Sequence, residues 1–116
     1  MYGILIYDGV EPIDLGATFG VLSIARRIAH DLAFAGVARS TGLVTCANGM
    51  QVVANHSFAD APDFAEIIVT GGPGWQEAAE DDATLEYLRT TKARISSICT
   101  GAMIVAAAGL LDGKRA

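Results

Sequence analysis

Residues 95–108, ISSICTGAMIVAAA, leave the chain little freedom in how it can be built. Ile95 to Ile98 reads as a short strand, and Gly101 to Ala108 as an almost wholly apolar helix stopped by Gly109. No loop residues separate the two. A residue at such a junction takes a strained backbone conformation that lifts its side chain above the sheet. Cys99 is that residue, and close packing around it is met by the small Ser97 and Gly101 two positions either side. The junction is also a helix N-terminus, where free N–H groups and the dipole favour thiolate over thiol. An ordinary cysteine, with a pKa of about 8.5, is mostly protonated at neutral pH. A free cysteine is most often a buried small hydrophobe, but this context puts a nucleophile ahead of that reading.

The rest of the chain supplies strands and helices in alternation. Tyr2 to Tyr7 is a β-rich run ending at the turn signal Asp8-Gly9. Pro12 suits a helix start, and Leu15, Phe19, Leu22 and Ala25 or Ala29 recur at helical spacing from Ile13 to about His30. Leu32 to Ala38 is a second strand. Leu43–Cys46 and Gln51–Ala54 flank Ala47-Asn48-Gly49-Met50, a hairpin signal. Asp60 to Asp63 is a loop, and Ala65 to Thr70 a strand closed by Gly71-Gly72-Pro73-Gly74. Acidic Glu77 to Asp82 precedes a helix over about Ala83 to Thr91. Apolar strands alternating with helices predict an α/β fold with a mostly parallel sheet and helices on both faces.

Composition bounds the function. A chain of 116 residues, 52% hydrophobic and 18% charged, suits one globular domain. Thirteen acids against eight bases give a net charge of −5, with no basic footprint for nucleic acid or an anionic membrane. Cys46 and Cys99 lie in no CxxC or Cys/His cluster, so neither a disulfide framework nor a metal site is expected, and a reducing cytoplasm is the simplest compartment. Met1 to Tyr7 lacks the basic start and cleavage site of a signal peptide, and the apolar run to Leu111 is too short to span a bilayer. His30 and His56 read as surface residues at a helix end and in a loop.

Two further features can serve Cys99. Adjacent parallel strands end on the same side of a sheet, so the Gly71-Gly72 loop can meet the Cys99 elbow. The Gly72 and Thr100 N–H groups are then candidates for an oxyanion-type site, against the plainer reading of GGPG as a tight turn. Asp14 lies in the first turn of the first helix. It is either an acid favoured by the helix dipole or a carboxylate facing the sulfur and moving a proton; both readings stand. Gly71 and Trp75 are candidate pocket residues, Trp75 equally a partly buried anchor for the helix that follows.

Together, Tyr7-Asp-Gly-Val10, Ile13-Asp-Leu15, Thr70-Gly-Gly-Pro-Gly74, Ser97-Ile-Cys-Thr-Gly-Ala102 and Ala107-Ala-Gly-Leu-Leu-Asp-Gly-Lys-Arg-Ala116 resemble the ThiJ/PfpI superfamily, relatives of class I glutamine amidotransferases. The resemblance is to the branch of isonitrile hydratases and of sensor domains in AraC-type transcription regulators. It implies a flavodoxin-like three-layer sandwich, with this chain as the N-terminal part of a longer domain. It implies Cys99 as nucleophile, Asp14 and Thr100 as its catalytic partners, and Gly72 as the glycine whose N–H faces the sulfur. Thr100 stands where peptidase- and deglycase-like branches commonly carry a histidine, which points away from those activities. A small-molecule substrate, a homodimer and no cofactor are implied. The alternatives are a ligand-sensing regulator domain and a redox or stress-response protein in which Cys99 is oxidised.

Overall fold

The computed structural model describes residues 1–115. Five parallel strands form the central sheet in the order β5-β2-β1-β6-β7: β1 (Tyr2–Leu5), β2 (Phe34–Ala38), β5 (His56–Ser57), β6 (Glu66–Val69) and β7 (Arg94–Ser97). A separate antiparallel hairpin pairs β3 (Gly42–Thr45) with β4 (Gln51–Ala54). The helices are α1 (Pro12–Ala25), α2 (Trp75–Glu80), α3 (Asp82–Thr90) and α4 (Gly101–Ala107).

Alternation along the strands produces the layers. Successive side chains of a strand point to opposite faces. On one face Ile4, Ile6 and Ala38 pack with Leu15 of α1 and with Val44 and Ala54 of the hairpin. On the other, Leu5, Val37, Ile67 and Val69 pack with Ala78 of α2, Leu85 and Leu88 of α3, and Ile104 and Val105 of α4. Ile4, Leu5, Val37, Ile67, Val69 and Ile104 have no exposed surface. Each such side chain contributes roughly 1.5–3 kcal/mol of burial. The predicted parallel sheet with helices on both faces is therefore the observed one.

Local chemistry sets the boundaries and accounts for the differences from expectation. The Glu11 carboxylate caps α1 at the Ile13 N–H, with Pro12 in the first turn. The helix stops at Ala25, not near His30. Beyond it Ile28 has no core to meet, being 86% exposed, and three-residue turns such as Ile28 N–H to Ala25 carry the chain back to β2. The segment Glu77 to Asp82, expected to lead into a single helix, belongs to two. Asp81 is extended and its carboxylate accepts from the Thr84 N–H, ending α2 and capping α3. His56 lies in the two-residue edge strand β5 rather than a loop, half-buried with its ring 6.2 Å from that of Phe64.

The connections from β1 and β6 leave in opposite directions, β1 through α1 to β2 and β6 through α2 and α3 to β7. Such a reversal between neighbouring strands opens a crevice at their carboxyl ends. The crevice is closed from below by α4, whose first residue, Gly101, lies against the end of β6. A Cβ on Gly101 would collide with the Val69 carbonyl oxygen and sit 2.8 Å from its carbon. Gly101→Ala is expected to destabilise the protein by about 1–3 kcal/mol through overpacking, read as a lower denaturant midpoint.

Candidate active site

β7 ends at Ser97, and the chain turns into α4 across Ile98, Cys99 and Thr100. The Ile98 N–H donates to the Val69 carbonyl (2.9 Å), keeping the strand in register with β6, and the Gly101 N–H donates back to the Ile98 carbonyl (2.9 Å). Between these two bonds the backbone has no slack. Cys99 takes φ +53°, in the left-handed region, and is exposed. The strained elbow expected from the sequence is present, and its side chain is open to solvent. Cys46 is its opposite, buried beside the hairpin at 3% exposure. Burial first, and the Glu11 carboxylate second, push its thiol pKa upward.

Asp14 and Thr100 are brought together over Gly71. A Cβ built on Gly71 would lie 2.8 Å from the Thr100 nitrogen, 2.8 Å from Thr100 Oγ1 and 2.9 Å from Asp14 Oδ2. The missing methyl group thus marks the point on which all three atoms converge. The Gly71 N–H donates to Asp14 Oδ2 (3.3 Å), and the Glu11 N–H donates to the Gly71 carbonyl (2.8 Å). This ties the start of α1, and Asp14 with it, to the end of β6.

Gly72 is placed differently from the expectation that its N–H faces the sulfur. That N–H donates to Thr100 Oγ1 (3.0 Å). The threonine hydroxyl intercepts it because Thr100 leans over the glycine pair. Its oxygen accepts from Gly72, which leaves its own proton free to point toward the recess. A side chain on Gly72 would strike the Glu11 nitrogen, so the loop runs against α1 with no room to rotate. Trp75, half-buried at the start of α2, packs against the core on the α2–α4 face. It therefore anchors that helix.

Two hollows flank the recess. One, about 340 Å³, opens between α1 and the sheet and is lined by Ile13, Asp14, Val21, Ile68 and Ile98 among others. The other, about 360 Å³, lies over the end of β1 beside Tyr7, Arg39 and Asp81. Trp75 lines neither. Asp14 shares the first hollow with Ile98 and meets Thr100 over Gly71.

Tyr7, which the sequence did not single out as a site residue, also reaches the site. Its hydroxyl donates to the Thr70 carbonyl (2.7 Å). Burial, then the charges of Asp14 and Cys99, push the phenol pKa well above its ordinary value. The sequence signals for it were an aromatic residue with a polar tip at the end of the central strand and its place at the head of the Tyr7-Asp-Gly-Val10 motif. Among the described residues no group of three or more His, Cys, Asp or Glu side chains is arranged to hold a metal ion, and no helix is long and apolar enough to cross a membrane.

The model of the DJ-1/PfpI family matches residues 3–116. The chain belongs to that family. It is 33% identical over 117 residues to an isonitrile hydratase of Pseudomonas putida, covering 98% of this chain and 50% of that protein. It is 28% identical over 120 residues to the HTH-type transcriptional regulator GbdR of Pseudomonas aeruginosa, covering 96% of this chain and 31% of that one. Among solved structures, a THiJ/PfpI family protein from Pseudomonas syringae superposes with a TM-score of 0.79 at 31% identity, over 97% of this chain and 47% of that one. The chain therefore spans about half the length of the hydratase, and the fold is that of this family.

Two outcomes are expected from this geometry. At neutral pH iodoacetamide alkylates Cys99 in the folded protein and leaves Cys46 unmodified until denaturant is added, as peptide mass spectrometry would show. Because φ +53° disfavours any side chain, Cys99→Gly is expected to exceed Cys99→Ala in stability by about 0.5–1 kcal/mol, measured by chemical denaturation.

Proposed function

We propose that this protein is a cysteine-dependent enzyme that hydrates isonitriles to N-substituted formamides. The observation that carries the reading is an exposed Cys99 on a strained elbow whose neighbouring residue, Thr100, meets the Asp14 carboxylate over Gly71. The 33% identity to an isonitrile hydratase supports the choice of substrate class.

The terminal carbon of R–N≡C accepts both a proton and a nucleophile. The mechanism draws one proton from Cys99 and Asp14 taken as a pair. Asp14 delivers it to the terminal carbon, and the Cys99 sulfur bonds to the same carbon, giving a thioimidate, R–N=CH–S–Cys. Water adds to that carbon and one of its protons goes to nitrogen. The C–S bond then breaks, the oxygen becomes the formamide carbonyl, and the last proton returns to the pair. Thr100, its oxygen held by the Gly72 N–H, directs its own proton toward the water or the adduct. The Thr100 N–H is a further candidate backbone donor at the recess. No external oxidant, reductant or cofactor enters the balance.

A small apolar isonitrile fits the hollow beside Asp14, where Ile13, Val21, Ile68 and Ile98 form the walls. The homodimer belongs to the same reading, since Ile13, Val21 and Ile24 leave an apolar row exposed along α1. So does a reducing cytoplasm, which suits two free cysteines.

A second reading is favoured by the 28% identity to GbdR, which runs over 96% of the chain. Here the same recess senses a small ligand without turning it over. The test is formamide production from an alkyl isonitrile. Cys99→Ala and Asp14→Asn are each expected to lower turnover at least about a hundredfold. Turnover unaffected by Cys99→Ala would end the mechanism. Saturable binding of the isonitrile with no formamide formed would favour the sensor.

A further inference from the structure

The Thr70–Gly71 peptide is held at both ends by side chains. Its carbonyl accepts from the Tyr7 hydroxyl (2.7 Å) and its N–H donates to Asp14 Oδ2 (3.3 Å). The described backbone hydrogen bonds outside the strands and helices claim neither end. A trans peptide is planar, with its carbonyl and N–H pointing opposite ways, so fixing one end aims the other. The residue that follows is glycine, which offers little torsional resistance of its own. Direction here comes from the side chains.

We propose that Tyr7 is a positioning residue: by gripping the Thr70 carbonyl it aims the Gly71 N–H at Asp14 and so holds the carboxylate over the recess shared with Thr100. Tyr7 is suited to the task. It is half-buried and packs against core residues on both sides of the sheet, so its ring has little freedom. Burial and the neighbouring negative charges keep its phenol protonated, so it acts as a donor across the working pH range. The next peptide is used in the same manner. Its carbonyl takes the Glu11 N–H and its own N–H holds Thr100 Oγ1. Two successive peptides thus link Tyr7 to Asp14 and the start of α1 to Thr100.

The kinetic side of this inference rests on the hydratase reading; the structural side does not. Tyr7→Phe removes one hydroxyl and keeps the ring. In the full chain labelled with nitrogen-15, this variant is expected to speed hydrogen exchange at the Gly71 amide about tenfold, the worth of one hydrogen bond. Core-strand amides such as Ile4 serve as the reference for any global loss. Asp14→Ala, which removes the acceptor, is expected to release the same amide, and the double variant with Tyr7→Phe to go no further. With an isonitrile substrate, Tyr7→Phe is expected to lower kcat about tenfold, with KM essentially unchanged and no added loss in the Asp14→Asn background. Gly71 exchange that matches wild type relative to Ile4 overturns the proposal, as do kinetic losses that add independently. If the wild type forms no formamide, the hydratase reading falls, and the Gly71 amide still decides the role of Tyr7.

Discussion

The contact between Gly101 and the Val69 carbonyl governs the upper end of this molecule. Because α4 begins directly against the end of β6, the chain between β7 and α4 must turn within three residues. That turn forces Cys99 into the left-handed region and leans Thr100 over the glycine pair. A longer connection would let Cys99 relax into an ordinary conformation and withdraw Thr100 from Gly71. The exposure of Cys99 and the position of Thr100 are therefore consequences of one backbone approach.

Rigidity and direction have different sources. Apolar burial around Leu5, Ile67, Val69, Leu88 and Ile104 holds the sheet and helices in place. Hydrogen bonds at the crevice contribute less, each with a net worth of about 1 kcal/mol, but they are directional. The loops after β1 and β6 are joined by Gly74 N–H to the Gly9 carbonyl and Glu11 N–H to the Gly71 carbonyl. The Asp8 carboxylate accepts from the Thr45 N–H and draws in the hairpin. The core makes the platform stable, and these bonds determine which atoms face one another on it.

Much of this was legible in advance because the signals were local. Alternating β-rich and helical runs gave the parallel sheet with helices on both faces, and Asn48-Gly49 gave the hairpin, with both residues at positive φ. Strand followed by Cys-Thr-Gly and helix gave the elbow. What was missed depended on contacts distant in sequence or on a single cap. The break between α2 and α3 turns on the Asp81 carboxylate capping Thr84. Strand β5 is only two residues long and exists because Val37 and Ala38 offer an edge. The end of α1 is set by where its surface runs out of core.

By itself the sequence determined the architecture, the elbow that carries Cys99 and the glycines of the loop beside it, since each follows from local periodicity, turn chemistry or the absence of a side chain. Tertiary structure alone decided that Tyr7 grips the Thr70 peptide, that the Gly72 N–H goes to Thr100 rather than to the sulfur, and that Asp14 meets Thr100 over Gly71. The hydrogen-bonded partners among these lie 28 to 63 residues apart along the chain. A hydrogen bond depends on angle and on tenths of an ångström, quantities that no local pattern encodes and that appear only when separate strands are brought side by side.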